Sequence, residues 1–251
     1  MLEDDFMNSL LAESADGSEV EAIRPLPWYP DNLAWHSNFS RKQLRKNKTL
    51  KRFHEFLKLQ NEIGNITRQE AVSMVPPLFL DLCPDHFVID MCAAPGSKTF
   101  QLLEMISHMA EPGSLPSGLV IANDVDVQRC NLLIHQTKRM CNANLIVTNH
   151  KAQHFPSCHA PNIWNKWTGG MGNGLHGLQV QIAMQGISLL KVGRRMVYST
   201  RSMNPVENEA VVAEVMHRCG QSVELLDVSN ELPHLIRRPG LKRWKVFGKL
   251  L

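Results

Sequence analysis

Phe87-Val88-Ile89-Asp90-Met91-Cys92-Ala93-Ala94-Pro95-Gly96-Ser97-Lys98-Thr99 starts apolar, shrinks to small residues, breaks at Pro-Gly and leads into Phe100, Leu102, Leu103, Met105 and Ile106. This pattern predicts a buried strand, a tight turn and the start of a helix. In an open α/β sheet such a turn lies at the carboxyl end of a strand, where nucleotide-like ligands bind. Small residues let a ligand approach the backbone, and a helix N-terminus offers free N–H groups. An ordinary strand-to-helix turn is the competing reading, because the stretch has one glycine rather than the three of a dinucleotide fingerprint.

Outward from this stretch the pattern alternates. Strands are expected at 87–91, 119–123 and 145–148, with helices at about 98–109 and 127–140. A later helix is expected at about 174–190, then a strand at Met196-Val197-Tyr198-Ser199. Asn204-Pro205-Val206-Glu207 reads as a helix start running to about 218, followed by a strand at Ser222–Val228 and another at Trp244–Phe247. Strands alternating with helices mean a mostly parallel, doubly wound α/β sheet of the Rossmann-like type. The alternation fails between Lys151 and Asn173, where glycines, Pro156, Pro161, Trp164 and Trp167 read as loop where a strand is due.

The chain ahead of this sheet is different. Residues 1–22 are an acidic lead-in without the basic start of a signal peptide. Residues 23–80 read as a small helical region entered through the rigid connector Arg24-Pro25-Leu26-Pro27-Trp28-Tyr29-Pro30. Ser40-Arg41-Lys42-Gln43 and Thr67-Arg68-Gln69-Glu70 are capping boxes, and the second opens a short helix expected to end at Pro76-Pro77. Seven of the twelve residues from 41 to 52 are Lys or Arg. A solvated helix face is the plain reading. Trp28, Tyr29 and Trp35 nearby make a phosphate-contacting surface of Arg41, Lys42, Arg45, Lys46 and Lys48 a competitor.

The whole chain of 251 residues carries a formal charge of only +3, so charge argues for nucleic acid through its distribution and not its total. No apolar run approaches the roughly 20 residues that span a bilayer, so no membrane partner is expected. The cysteines Cys83, Cys92, Cys130, Cys141, Cys158 and Cys219 include no C-x-x-C pair. Reduced thiols are expected, with neither a disulfide framework nor a metal site.

Asn123-Asp124-Val125-Asp126 ends the second strand of the sheet. An acid there can accept both hydroxyls of a ribose, being acceptor-only with room for two donors. The alternative is a helix N-cap, which suits Asp126 better than Asp124.

With these residues in view, Asp90–Thr99 resembles the cofactor motif of the Sun/RsmB-type RNA cytosine-5 methyltransferases. Trp28-Tyr29-Pro30, Leu33-Ala34-Trp35-His36, Ser40-Arg41-Lys42, Thr67–Met74, Asn123–Asp126, Gly174-Leu175-His176, Tyr198-Ser199-Thr200 and Asn204-Pro205 resemble the eukaryotic tRNA branch of that family. The likeness extends from about residue 22 through nearly the whole chain. It implies a methyltransferase domain over 81–251 and S-adenosylmethionine bound at Cys92, Ala93, Ala94, Pro95, Gly96, Ser97, Lys98 and Asp124. It also implies RNA, in particular tRNA, as partner, and a nuclear or cytoplasmic location.

The resemblance further implies a mechanism. Cytosine C5 is too weak a nucleophile to take a methyl group unaided. In the family a cysteine thiolate adds to C6 and makes C5 enamine-like; a second cysteine, in an Asp-x-Pro-Cys motif after the fourth strand, helps release the product. Here the nucleophile motif, Thr-Cys-Ser in active members, reads Thr200-Arg201-Ser202, and an arginine stays protonated and cannot add to C6. The fourth strand and Asp-x-Pro-Cys are absent near 156–161, the family's C-terminal domains are lacking, and Lys151 stands where an acid would face the adenine. The expected fold is therefore a methyltransferase sheet lacking its fourth strand. Cys158, in Pro156-Ser157-Cys158, has no strand before it to aim a substitute thiol, and Cys92 is expected to pack beneath the ligand. Three readings follow: an active cytosine-5 methyltransferase, a pseudo-methyltransferase that binds RNA or S-adenosylmethionine without reacting, or the product of a degraded or wrongly spliced gene with no function. Without its central fourth strand, the sheet must either close Met196–Ser199 against Val88–Met91 or stay open at that edge.

Overall fold

The computed structural model describes residues 23–37, 39, 48–111, 114–140, 142–156 and 173–242, with the backbone alone at 48, 49, 173 and 174. The chain divides into two compact units, Met1–Ala71 with Ser229–Arg237, and Val72–Val228 with Arg238–Leu251.

In the first unit, strands β1 (Ile23–Pro25) and β2 (Trp35–Ser37) pair antiparallel, with Arg24 opposite His36. The connection turns at Asp31 and Asn32, both at positive φ, a conformation Asp and Asn tolerate better than most residues. Helix α1 (Lys48–Glu62) brings buried Leu50 and Phe53 against Ile23. Trp35, Phe39, Phe56 and Leu57 close around them, so Trp35 is largely a packing residue. The expected helix start at Ser40, and with it Arg41, Lys42, Arg45 and Lys46, lies outside the described residues; Lys48 is the first described residue of α1.

The second capping box does not form as the sequence predicts. Helix α2 (Ala71–Leu78) begins four residues after Thr67, whose buried hydroxyl has no partner among the described residues. It also continues through Pro76 and Pro77 instead of stopping at them. Its last carbonyls are taken by tight bonds from Phe79 to Pro76 and from Leu80 to Pro77, a common way to end a helix.

The second unit is built on three parallel strands, β3 (Phe87–Asp90), β4 (Leu119–Asn123) and β5 (Leu145–Thr148), in the order β3-β4-β5. The register sets Asp90 opposite Ala122 and Asn123 opposite Thr148, so all three strands end at one edge. Helices α3 (Ser97–His108) and α4 (Val127–Thr137) are the crossovers. Alternate residues of a strand share a face. On one face Val88 and Val120 meet Leu102, Leu103 and Ile106 of α3, and Ala122 meets Leu133 of α4. The other face carries Ile89, Ile121 and Ile146; it is less covered among the described residues, and Ile146 is exposed. This is a Rossmann-like α/β fold, as expected.

Helix α5 (Asn173–Leu189) and helix α6 (Glu209–Cys219) pack Val180 and Ala183 against Val211 and Val215. Two of the expected strands are not strands. Met196–Ser199 joins no ladder, and Met196 and Tyr198 pack instead on the α5–α6 cluster. Met91 and Met196 both approach Gly186 of α5, so the chain passes near the exit of β3 without pairing with it. Ser222–Val228 is likewise unpaired, with Leu225 and Leu226 exposed. β3 is an edge strand of the described sheet, so the open edge alone does not recruit Met196–Ser199; its side chains are committed to the helices instead. Trp244–Phe247 lies outside the described residues.

The helix start at Asn204 is also displaced. Val206 N donates to Asn204 Oδ1 at 3.1 Å, Asn208 Nδ2 donates to Ser202 O at 2.8 Å, and α6 begins only at Glu209. Short polar side chains here satisfy the backbone locally and outcompete the helix for five residues.

Candidate cofactor site

The loop after β3 is held from three directions. Ala93 N donates to Asn123 O at 2.8 Å, and Ala94 N donates to Asp124 Oδ2 at 3.1 Å. Gly96 N closes the turn onto Ala93 O at 2.8 Å. Ala93, Ala94 and Gly96 are buried, while Cys92 and Pro95 are exposed and Ser97 and Lys98 half-buried, so the loop packs its alanines and glycine and turns Cys92 and Pro95 to solvent. Gly96, at φ 105°, is the N-cap of α3 and offers no side-chain cap. The N–H groups of half-buried Ser97 and Lys98 therefore stay available to an anionic group.

Behind the loop lies a polar hub. Asn123, fully buried, donates from Nδ2 to Met91 O at 3.1 Å and to His150 O at 2.9 Å. Its Oδ1 accepts from Thr148 Oγ1 at 3.0 Å and His150 N at 2.8 Å, so every hydrogen-bonding site of the amide is filled. One side chain thus ties together the ends of all three strands. Asp124 is 2% exposed, and both oxygens are engaged: Oδ1 accepts from Asp126 N at 3.1 Å and Oδ2 from Ala94 N. Asp126 is the N-cap of α4, accepting from Arg129 N at 2.9 Å, which is the role its sequence position suggested.

The sequence reading missed three of these roles. Asn123 reads as a strand-end residue and Thr99 as an ordinary helix residue, yet Thr99 Oγ1 donates to Asp90 Oδ2 at 2.8 Å. Arg129 reads as a solvated helix residue, but its guanidinium reaches back to Ala94 O. Only the spacing of Arg129 from the Asp124/Asp126 pair could have flagged it.

The electrostatics disfavour thiolate chemistry at this loop. Desolvation lifts the Asp90 carboxyl above its ordinary range, opposed by the Thr99 hydroxyl, Lys98 and the Cys92 amide. Cys92 is exposed by surface area, yet its thiol is pushed up to about 11. Protein around the sulfur desolvates the thiolate, Asp90 and Asp124 repel it, and Arg129 pulls the other way. Burial and the carboxylates act in one direction and outweigh Arg129, so the thiol is protonated at neutral pH. Alkylation of Cys92 by iodoacetamide, followed by peptide mass spectrometry, should stay slow at pH 7 and keep rising beyond pH 9 toward the thiol's value of about 11. A rate that levels off near pH 8 would contradict this environment.

Thr200-Arg201-Ser202 sits in a turn laced by its own side chains. Ser202 N donates to Thr200 Oγ1 at 3.0 Å, and Asn204 N donates to Ser202 Oγ at 3.1 Å. Thr200 Oγ1 donates to Asn208 Oδ1 at 2.5 Å and Ser202 Oγ to Glu207 Oε1 at 2.7 Å. Arg201 is exposed within this turn. Lys151 is half-buried and lies three residues past the end of β5, on the edge where β3 and β4 also end. Cys158 lies outside the described residues. The four described cysteines, Cys83, Cys92, Cys130 and Cys219, are all free.

Among the described residues, Cys83, Asp85 and His86 come within 4.8 Å of one another, but at the opposite, amino-terminal end of β3. Cys83 N donates to His86 Nδ1 at 3.1 Å, which leaves the ring proton of the neutral imidazole on Nε2 and so opposes metal ligation. No helix among the described residues is long and apolar enough to cross a membrane.

A strand-end loop, a glycine-capped helix and a carboxylate hub of this kind are what an S-adenosylmethionine-type methyltransferase sheet presents. The family model described as 16S rRNA methyltransferase RsmB/F matches residues 77–167. The multisite-specific tRNA:(cytosine-C(5))-methyltransferase of Saccharomyces cerevisiae is 42% identical over 94% of this chain and 39% of its own length. The tRNA (cytosine(34)-C(5))-methyltransferase of Drosophila melanogaster is 41% identical over 92% of this chain and 35% of its own. Among solved structures, a methyltransferase homologue from Pyrococcus horikoshii superposes with a TM-score of 0.56 at 23% identity, covering 86% of this chain and 67% of that one. NSun6 from the same organism, solved with SFG, an S-adenosylmethionine analogue, reaches 0.52 at 24% identity over 63% of this chain and 44% of that one. The chain belongs to the RsmB/F-type RNA methyltransferase family, on the side of its eukaryotic tRNA cytosine-C5 members. It spans about two fifths of the length of these two curated relatives.

Proposed function

We propose that the chain is the cofactor-holding portion of a tRNA cytosine-5 methyltransferase that no longer carries out the reaction on cytosine. S-adenosylmethionine seats against Cys92, Ala93, Ala94, Pro95, Gly96, Ser97 and Lys98 and the end of β4 at Asp124. The uncapped first turn of α3 fits the carboxylate of its methionine moiety. The cofactor, when bound, supplies an electrophilic methyl group. This chain's own residues bind and orient it, with Asp124 and Asn123 fixing the loop that receives it. RNA is met by Arg41, Lys42, Arg45, Lys46 and Lys48, and the methyltransferase domain runs over 81–251, after an RNA-contacting region over 23–80. The protein works in the nucleus, by analogy with its family. Lys151, a donor beside the adenine, lowers cofactor affinity.

One observation carries this reading. The position that would supply the thiolate is Arg201, in the side-chain-laced turn Thr200–Asn208, and the exposed thiol of the cofactor loop, Cys92, is held protonated. The alignment with the yeast relative also supports an internal loss. It runs over 267 positions, while 94% of 251 residues is about 236, so about 31 positions of the relative have no counterpart here.

The test is methyl transfer on the whole chain. Tritiated S-adenosylmethionine with unmodified tRNA should leave no label in cytosine, while calorimetry should detect binding of S-adenosylhomocysteine that tightens in Lys151→Asp. Label in 5-methylcytosine would overturn the loss of chemistry, and no cofactor binding by either protein would overturn the cofactor site.

A further inference from the structure

We propose that Arg129 is a positioning residue of the cofactor loop, clamping Ala94 jointly with Asp124; this rests on the cofactor reading above. The two ends of one residue are held by two side chains that also touch each other. Ala94 N donates to Asp124 Oδ2 at 3.1 Å, Arg129 Nη2 donates to Ala94 O, and the same Nη2 lies 3.7 Å from the same Asp124 Oδ2. The ring Ala94 N–H, Asp124 carboxylate, Arg129 guanidinium, Ala94 C=O closes across sequence separations of 30 and 35 residues. It encloses the residue at the centre of the loop.

The position of Arg129 argues that this contact is not incidental. Arg129 is the third residue of α4, and a cation in the first turn opposes the helix dipole. A helix surface would ordinarily place such a charge at the other end. Its backbone N–H is fixed by the Asp126 cap, which sets the point from which the side chain reaches back. The guanidinium side chain is 54% exposed whereas its carboxylate partner is 3% exposed. Removing the cation therefore opens no cavity in the core, but it frees the carbonyl of Ala94 and leaves the buried Asp124 with its two N–H donors alone. Arginine suits the task because one planar terminal nitrogen serves both an acceptor oxygen and a carboxylate, which a flexible ammonium does less well. The loop then waits in one conformation for the cofactor, and affinity gains by the ordering that binding need not impose.

The experiment uses the full chain and S-adenosylhomocysteine as probe, comparing wild type with Arg129→Ala and Arg129→Lys. Arg129→Ala is expected to lose at least tenfold in affinity with a melting temperature within about 2 °C of wild type, consistent with a half-exposed side chain. Arg129→Lys should recover part of the loss, and so should millimolar guanidinium added to Arg129→Ala. Amide hydrogen exchange at Ala94, read without any ligand, should speed up in Arg129→Ala. Wild-type affinity together with unchanged exchange at Ala94 would overturn the clamp. If the wild type binds no S-adenosylhomocysteine, the cofactor reading fails, and the clamp is decided by exchange alone: faster at Ala94 supports it, unchanged overturns it.

Discussion

Asn123→Ala is expected to lower the unfolding free energy by about 3 kcal/mol, which for a domain of this size is a fall of roughly 9 °C in melting temperature. The amide sits at the meeting point of three strand ends and is fully buried. Alanine would leave Met91 O and His150 O without a donor, and Thr148 Oγ1 and His150 N without an acceptor. Each unpartnered buried group costs about 1–3 kcal/mol, and partial relaxation recovers some of them. Asn123→Asp provides the sharper comparison. A carboxylate is acceptor-only and would face two carbonyl oxygens, so at neutral pH it should harm the fold at least as much as alanine. The penalty should ease as pH falls, because the protonated acid regains one donor. Thermal melts at pH 7 and pH 4 separate the two variants. A loss below 1 kcal/mol for Asn123→Ala would show that water enters and replaces the amide, and that the hub does not organise the loop.

The three parallel strands and the first two crossover helices were legible in the sequence for a physical reason. Each strand is a short apolar run bounded by turn residues, and its neighbour in space is the next such run along the chain. Val88, Val120 and Leu145 therefore find one another whatever follows. Met196–Ser199 carries the same local signal and pairs with no strand, although β3 is an edge strand of the described sheet: a local β signal does not decide where the side chains pack. Its side chains instead settle on Gly186 and the α5–α6 cluster. The site divides in the same way. Asp126 was legible as an N-cap because the cap is local, and Gly96 because a turn is local. Asn123, Thr99 and Arg129 were not, since each acts on a backbone or carboxyl group brought near only by folding, 32 residues away in the bond from Asn123 to Met91. Asp124 lies between these cases: its position after β4 marks it as a site acid, but only folding brings Ala94 N of the loop onto Oδ2, while Asp126 N takes Oδ1.

Gly96→Ala should abolish measurable cofactor binding and destabilise the fold by about 3 kcal/mol, and two separable causes contribute. The first is conformational. At φ 105° an L-residue with a Cβ is strained by about 1–3 kcal/mol. The second is steric: the new Cβ would lie 2.6 Å from Leu133 Cδ1. Leu133 is fully buried among Ala93, Ala94 and Ala122, so its methyl group can move only by displacing the cofactor loop itself. Gly193→Ala isolates the first cause, since Gly193 also has positive φ, at 76°, but a Cβ there would meet nothing within 4 Å. Calorimetric titration with S-adenosylhomocysteine and thermal melts of both variants then divide the effect. Strain alone predicts similar losses of stability at the two positions. The geometry of the loop predicts a larger loss at Gly96, and loss of binding at Gly96 alone, because only there does the added carbon push on the segment from Ala93 to Gly96. Equal stability losses with cofactor affinity intact in Gly96→Ala would mean that the loop yields without consequence, and that the tight turn onto α3 is not what shapes the cofactor site.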